Sequence, residues 1–503
     1  MSRTNAVLNA ESAARATLAR LAALGVQPSG ASDDSRQLLA GDLFLAYPGA
    51  LADGRSHIAA AISAGACAVL WEASTAATDS FSWNADWRIA NLPVSGLRSL
   101  CGPLAHAVYG RPSERLSLIA VTGTNGKTSV TQWLAACHPR RCATVGTLGA
   151  GFPGALVETG FTTPEATTLM RSLARFADDD AQACALEASS IGIAEGRLDG
   201  ARVDVAVFTN LTHDHLDYHG SLEAYAQAKA ELFTWPRLRL AVCNLDDPFG
   251  RQLAALSSAT KVVGYTQQEA PDGRQGTLRA EGVEETSNGL RFRLCAPNGR
   301  ALVETGLLGR YNVANLLAVA AVLIDAGMTP KAVAERFAQL RSPAGRLETI
   351  GGHNEPLVVV DYAHTPDALD SALGALRAVA TARGASLVVI FGCGGDRDRG
   401  KRPLMGAIAA KRADRVVLTS DNPRGEDAQR ILDEIHSAAP AAEVLVDRGQ
   451  AIERTILGAH PADVVLIAGK GHETYQEICG VRRPFSDAAQ ARAALTARQE
   501  MVE

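Results

Sequence analysis

No long apolar run occurs in the 503 residues; the longest, Leu316 to Ile324, is far short of the ~20 residues that a membrane-spanning helix needs. Residues Met1 to Asn9 lack a signal-peptide core, so the cytoplasm is the expected compartment. None of the nine cysteines forms a Cys-x-x-Cys pair, which speaks against a zinc ribbon or a disulfide framework and leaves them as small core residues. Charge of neither sign is in excess: 49 basic against 54 acidic residues give −5, which excludes a general nucleic-acid coat. There is no repeat of fixed period and no low-complexity block. What is present is an ordinary globular composition, 47% hydrophobic and 20% charged, with length for roughly three domains at about 150 residues each.

Punctuation divides the chain. Tyr109-Gly-Arg-Pro-Ser-Glu-Arg115 and Arg341-Ser-Pro-Ala-Gly-Arg346 are polar breaks, and they give segments 1–113, 114–343 and 344–503. In the last segment, short β-branched runs alternate with helical stretches: Leu357 to Val360, Ser386 to Phe391, Arg415 to Thr419, Glu443 to Val446 and Asp463 to Ala468. This βαβ rhythm predicts a Rossmann-like parallel sheet whose ligands sit at the carboxyl ends of its strands. Polar clusters follow the strands at those ends: Asp361 to Pro366, Gly392 to Arg399, Ser420 to Arg424 and Gly469 to Glu473. The middle segment repeats the logic with strands Leu116 to Val121, Ala183 to Glu187 and Val203 to Phe208. The expected fold is α/β in three domains, with a central P-loop parallel-sheet domain and a C-terminal Rossmann-like one.

The strongest chemical signal is Val121-Thr-Gly-Thr-Asn-Gly-Lys-Thr-Ser129, which follows a strand and opens a helix predicted over Lys127 to Cys137. Backbone N–H groups of Gly123, Thr124, Asn125 and Gly126 close around phosphates, helped by the positive end of the helix dipole. Lys127 reaches the terminal phosphates, and Thr128, followed by Ser129, supplies a hydroxyl for Mg²⁺. Val121 occupies the place of the pattern's first glycine, with Gly123 standing in two residues later. A glycine-rich turn with an exposed lysine is the blander reading, but strand, turn, Gly-Lys-Thr and helix together favour a nucleotide.

Glu187 ends an apolar strand at the same sheet edge, which suits either a Mg²⁺ ligand or an acid at the start of a helix. His215 lies just beyond another strand and is a candidate metal ligand. His213, His215, Asp217 and His219 approach the spacing of a dinuclear metallohydrolase but miss it by one residue, because Tyr218 intervenes. Lys229 falls on the apolar stripe of a helix predicted over Ser221 to Phe233. Burying an unpaired ammonium is costly, so its head either snorkels to water, which periodicity alone favours, or is altered or compensated in a site.

Together these residues resemble the Mur ligases, ATP-dependent enzymes that add amino acids to the UDP-linked peptidoglycan precursor. The resemblance spans nearly the whole chain through Asp34-Ser-Arg36, Gly41-Asp-Leu-Phe44, Gly123-Thr-Asn-Gly-Lys-Thr-Ser129, Thr162-Thr-Pro164, Glu187-Ala-Ser-Ser190 and Asn210-Leu-Thr-His-Asp-His-Leu-Asp217. It continues through Tyr311-Asn-Val-Ala-Asn315, Asp361-Tyr-Ala-His364, Gly394-Gly-Asp-Arg397, Asp421-Asn-Pro-Arg424 and Gly469-Lys-Gly-His-Glu473. It implies that Lys229 is carbamylated by CO₂ and, with Glu187 and His215, holds one Mg²⁺, while Thr128 and Glu187 hold another on ATP. It places Asn312 and Asp361 near adenosine and Arg346 near the transferred phosphate. Ser35 in a UDP-binding N-terminal domain and Thr162, Thr163, Ser189, Glu195 and Arg197 are implied to hold the UDP-muramoyl-dipeptide. Ile191 and Glu195 depart from the family, standing where histidine and glutamine are more familiar.

Asp421-Asn-Pro-Arg424 is similar to the signature of family members that add meso-diaminopimelate, and Arg424 supplies a physical reason. Diaminopimelate differs from lysine by one carboxylate, which a guanidinium fork pairs bidentately. Arg397, Asp421, Asn422, Pro423, Gly469 and Glu473 are implied to surround the far end of that amino acid, with Glu473 and a backbone carbonyl taking its ammonium. The implied reaction passes through an acyl phosphate on the D-glutamate carboxylate, with ATP, the UDP-muramoyl-dipeptide and diaminopimelate as partners. No nucleic acid or membrane span is implied, and no oligomer is predicted. The rivals are a lysine-adding homologue, a folylpolyglutamate synthetase and, from a different class, a P-loop ATPase switch.

Overall fold

The computed structural model describes residues 3–49, 52–73, 81–212, 214–268, 277–287 and 289–502. The chain forms two compact units, one of Met1–Thr266, Ala270–Leu278 and Leu317–Met328, the other of Gln267–Glu269, Arg279–Leu316 and Thr329–Glu503. No helix among the described residues is long and apolar enough to cross a membrane.

The first unit contains two sheets. Four parallel strands, Gly30–Ser32, Asp42–Ala46, Ala68–Glu72 and Ala90–Val94, pair in chain order. In the larger sheet, Ser117–Thr122 lies between Val205–Phe208 and Ala183–Glu187, all parallel. The chain therefore leaves the central strand at a point where later strands fall on both sides, the topological switch where α/β sheets bind ligands. Leu240–Asn244 and Lys261–Thr266 extend one flank, and Cys142–Gly146 the other. Apart from Lys261–Thr266, whose first two residues are exposed, these strands are buried on both faces, as helix-covered parallel sheets are, so they read as near-continuous apolar runs. The helix Lys127–Cys137 and the strand Ala183–Glu187 have the limits their sequence predicts.

The second unit is built on a six-stranded sheet with the order Glu348–Gly351, Leu357–Asp361, Val464–Ala468, Leu387–Phe391, Arg415–Leu418 and Glu443–Val444. All pairs are parallel except that of the Glu348–Gly351 edge. Side chains alternate between two cores: Val359, Val389 and Leu466 point to one face, Val358, Val388 and Val465 to the other. This doubly wound α/β arrangement is the Rossmann-like architecture expected. An antiparallel ladder of Leu278–Thr286, Gly289–Ala296 and Gly299–Thr305 was not foreseen from the sequence.

A buried ion pair ties the carboxyl ends of two of these strands. Arg448 and Asp487, both side chains wholly buried, meet at 2.7 Å, and Arg448 also donates to the carbonyls of Ser420 and Ala468. Removing one partner leaves an uncompensated buried charge, so Asp487→Ala is expected to lower stability by about 3–5 kcal/mol. Urea unfolding checks this, and a loss under about 1 kcal/mol would mean the pair is not holding these strand ends together.

Candidate active site

The phosphate loop leaves the central strand at Thr122 and enters the helix at Lys127. Gly123 has φ +145, and a Cβ there would lie 1.9 Å from Thr209 Oγ1, so only glycine permits the loop to pass this close. Neighbouring strand ends pin the loop. Thr209 Oγ1 donates to the Asn125 carbonyl at 2.6 Å, and Asn125 N–H donates to Asn210 Oδ1 at 3.0 Å. Lys127 Nζ folds over the loop onto the carbonyls of Gly123 and Thr124, at 2.9 and 2.8 Å. Ser129 is buried in the first turn of the helix that follows.

Glu187 is fully buried at the end of its strand. Its oxygens accept from Thr128 Oγ1 at 3.0 Å, Thr147 N–H at 2.8 Å and Thr147 Oγ1 at 3.1 Å. Of the two readings the sequence left open, a helix-start acid does not apply: Ser189 caps the short helix Ser190–Ala194 instead. None of these donors carries charge. A buried carboxylate beside a phosphate-loop hydroxyl, neutralised by no basic side chain among the described residues, is a donor set that suits Mg²⁺.

Lys229 corrects the expectation of snorkelling, because its side chain is buried rather than extended to water. Nζ donates to the Gly123 carbonyl at 3.0 Å and lies 4.2 Å from the Tyr225 ring centroid. The helix Leu222–Ala230 carries its lysine directly under the phosphate loop, so no route to solvent is left. Burial, with Lys127 adding repulsion, holds the ammonium well below the ordinary lysine range. His215 adopts φ +51, and its ring meets the same Tyr225 ring at 6.2 Å. It is half exposed, 3.6 Å from Asp214. Thr128 and Glu187 thus touch, while Lys229 and His215 gather on Tyr225. Among the described residues no group of three histidine, cysteine or acidic side chains forms a metal cluster, and His213 of the metallohydrolase pattern lies outside those residues.

Glu187 also links the loop to the residues implied to hold the dipeptide. Thr163 Oγ1 donates to the Glu187 carbonyl at 2.7 Å and meets Ser189 Oγ at 2.9 Å, while Thr162 Oγ1 meets Thr147 Oγ1 at 3.1 Å. Arg197 donates to the Thr163 carbonyl and pairs with Glu195 at 2.6 Å and Glu165 at 3.1 Å. Ser35 is half-buried past the carboxyl end of Gly30–Ser32.

Two groups lie at the strand ends of the second unit. In one, Asp361 accepts from the N–H groups of Leu347 and Ala363 at 2.8 and 2.9 Å. Desolvation pushes its carboxyl up, against the pull of Arg346. Arg346 lies over the Tyr362 ring at 4.9 Å, with His472 on that ring at 5.2 Å. Arg346 Nε and His472 Nδ1 are buried without hydrogen-bond partners among the described residues. Burial and Arg346 bring the His472 imidazole down to about 4, so it is neutral at pH 7. Asn312 donates its amide to the Leu308 carbonyl at 2.7 Å and accepts from Asn315 Nδ2 at 2.9 Å.

The other group surrounds Arg424, whose backbone is held at φ +51. That conformation costs a non-glycine residue about 1–3 kcal/mol. Two backbone hydrogen bonds fix it, from Arg424 N–H to the Glu477 carbonyl and from Cys479 N–H to the Arg424 carbonyl, at 3.1 and 2.7 Å. Gly395 lets the loop close, since a Cβ there would lie 1.9 Å from the Pro423 carbonyl oxygen. Arg424 Nη1 donates to the Gly395 carbonyl at 2.8 Å. Neither Arg424 nor the exposed Arg397 forms an ion pair among the described residues, unlike the nearby Arg402, which holds Glu426 and Glu434. Asn422 donates to Glu473 Oε2 at 2.8 Å, Asp421 Oδ1 accepts the Asn422 N–H at 2.7 Å, and Gly469 has φ +116 against the Asp421 carboxylate. Two guanidinium groups without an ion-pair partner among the described residues, beside a carboxylate, are complementary to a zwitterion.

Sequence reasoning missed Thr147, Tyr225 and Lys470. Thr147 follows the strand Cys142–Gly146, so its position at a carboxyl sheet edge was the signal available. Tyr225 precedes Lys229 by one helical turn and shares its face.

Family models match three stretches: "Mur ligase family, catalytic domain" over residues 29–109, "Mur ligase middle domain" over 121–323, and "Mur ligase, glutamate ligase domain" over 345–471. The chain is 48% identical to UDP-N-acetylmuramoyl-L-alanyl-D-glutamate--2,6-diaminopimelate ligase of Chromobacterium violaceum, covering 95% of this chain and 96% of that protein. Identity to the protein of that name from Pseudomonas aeruginosa is 47%, over 92% and 94%. A solved structure of a ligase with the same name superposes with a TM-score of 0.68 at 36% identity, covering 94% of this chain and 95% of that one. Mycobacterium tuberculosis folylpolyglutamate synthase shares the fold, with a TM-score of 0.57 at 19% identity over 79% and 94%.

Proposed function

The chain belongs to the Mur ligase family, and from that premise we propose that it joins diaminopimelate to the D-glutamate of UDP-N-acetylmuramoyl-L-alanyl-D-glutamate, at the expense of ATP, in peptidoglycan precursor synthesis. The observation that carries the amino-acid choice is the pair Arg397 and Arg424, guanidinium groups with no carboxylate partner among the described residues. Residues 1–113 serve the UDP-sugar, 114–343 ATP and 344–503 the amino acid, and the cytoplasm, where ATP is made available, is the compartment.

The phosphate loop orients ATP, with Lys127 released from its own carbonyls to the phosphates. Thr128 and Glu187 are the residues that would hold the nucleotide's Mg²⁺. Glu187, His215 and Lys229 would hold a second one, and bound there the two ions would supply positive charge against that developing on the transferred phosphoryl group. Lys229 qualifies through its carbamate: its depressed basicity favours the neutral amine, which attacks CO₂ and releases a proton, turning a buried amine into an anionic ligand. Thr162, Thr163, Ser189, Glu195 and Arg197 position the dipeptide. Its D-glutamate carboxylate attacks the γ-phosphorus, ADP departs, and an acyl phosphate forms. Arg346 and the residues about Asp361 steady the nucleotide side of that transfer. The amine of diaminopimelate then attacks the acyl carbon, and the tetrahedral adduct collapses to amide and inorganic phosphate.

Mass analysis of the UDP-linked product tests this reading. The expected product is heavier by one diaminopimelate residue and forms only when ATP, Mg²⁺ and the dipeptide are all present. ATP hydrolysis with an unchanged UDP-dipeptide would instead favour the ATPase switch.

A further inference from the structure

Lys470 is a buried lysine that the chemistry above does not use. Its side chain is 0% exposed, and Nζ donates to Asn422 Oδ1 at 3.0 Å and to Glu473 Oε2 at 2.8 Å. Two consequences follow from the donor inventory. Lysine has no acceptor, and the Glu477 N–H, 2.9 Å from the same Asn422 atom, is also a donor. The shared atom is therefore the amide oxygen, and this leaves Asn422 Nδ2 as the group that donates to Glu473 Oε2. In addition, both donors converge on one Glu473 oxygen. Oε2 takes Lys470 and Asn422, while Oε1 has no hydrogen bond among the described residues.

We propose that Lys470 is a positioning residue for amino-acid selection: by clamping Glu473 through Oε2 it presents Oε1 to the far ammonium group of the substrate. This rests on the reading of Glu473 as the acceptor of that ammonium group. Electrostatics fit the role. Lys470 and Glu473 cancel as a pair, and Asp421 at the same strand ends keeps the pocket receptive to a cation. A glutamate held by one oxygen loses little side-chain freedom when the other is engaged, which is the benefit of preorganisation.

The test compares meso-diaminopimelate with 2-aminopimelate, which keeps both carboxylates and lacks the far amine. The kcat/KM ratio for the two is measured in the wild type, Lys470→Met and Glu473→Gln, with separate KM values for ATP and the UDP-dipeptide. The wild type is expected to favour diaminopimelate on the order of 100-fold, and Glu473→Gln to lose most of that preference. Lys470→Met is expected to cut the ratio about 10-fold, chiefly through the diaminopimelate KM, with the other two KM values within about twofold. A merely structural lysine would slow both amino acids equally and leave the ratio intact, which would overturn the proposal. If Glu473→Gln leaves the ratio unchanged, the ammonium assignment fails and the proposal fails with it. If Glu473→Gln lowers it and Lys470→Met does not, only the role of Lys470 is lost. Should Lys470→Met not fold, Lys470→Gln, which keeps a donor and loses the charge, carries the same comparison.

Discussion

Lys229→Met is expected to lower kcat on the order of 10³-fold or more while leaving the melting temperature unchanged or raised. The two readouts move apart for a physical reason. Removing a buried polar head group whose charged form burial disfavours relieves desolvation, and methionine fills most of the space, so the fold does not suffer. The same change removes the amine on which the proposed carbamate forms, and with it the proposed ligand for a cation that would supply several kcal/mol of charge stabilisation in the transition state. Lys229→Ala, which leaves room beside Tyr225, is expected to regain part of its activity when a small carboxylate is added. Steady-state phosphate release alongside thermal melts checks both variants. Full activity in either one would remove Lys229 from the chemistry.

Arg424→Ala is expected to reduce kcat/KM for diaminopimelate by about 30- to several-thousand-fold, the range set by about 2–5 kcal/mol for breaking a buried charge pair. L-lysine, which lacks the carboxylate, should be affected far less, so discrimination between the two amino acids narrows by nearly the same factor. Arg424→Lys should recover little. An ammonium cannot form the fork, and the loop that holds Arg424 at φ +51 does not lengthen to bring it closer. Competition assays with both amino acids measure this directly. An unchanged ratio would place the specificity elsewhere, with Arg397 the next residue to test.

The parts of the structure that could be read in advance are those where local chemistry and fold coincide. Gly-Lys-Thr after an apolar run fixes a strand, a loop and a helix together, and the helix Lys127–Cys137 starts and stops as expected. The apolar strands of the second unit are legible because burial on both faces removes alternation, leaving runs such as Leu387–Phe391. The ladder of the second unit carries the opposite signal. In Gly289–Ala296, Leu290, Phe292 and Leu294 are buried while Arg291 and Arg293 face out, a period-two pattern that a search for βαβ units passes over. Lys229 shows the limit of periodicity, which put the lysine on the apolar face but not beneath a glycine loop that closes its exit. Likewise the sequence names Arg397 and Arg424 without showing that both lack a carboxylate, since that depends on which acids Arg402 has already taken.

The central claim is that ATP is split here only to activate a carboxylate for an amine bearing a second carboxylate. Inorganic phosphate release, followed with ATP, Mg²⁺ and the UDP-muramoyl-dipeptide in the presence of meso-diaminopimelate, of L-lysine and of neither, tests it most directly. The structure predicts rapid release with diaminopimelate and only slow release in the other two mixtures. Equal release with lysine would keep the ligase and contradict its specificity, and equal release in all three would contradict the ligase itself.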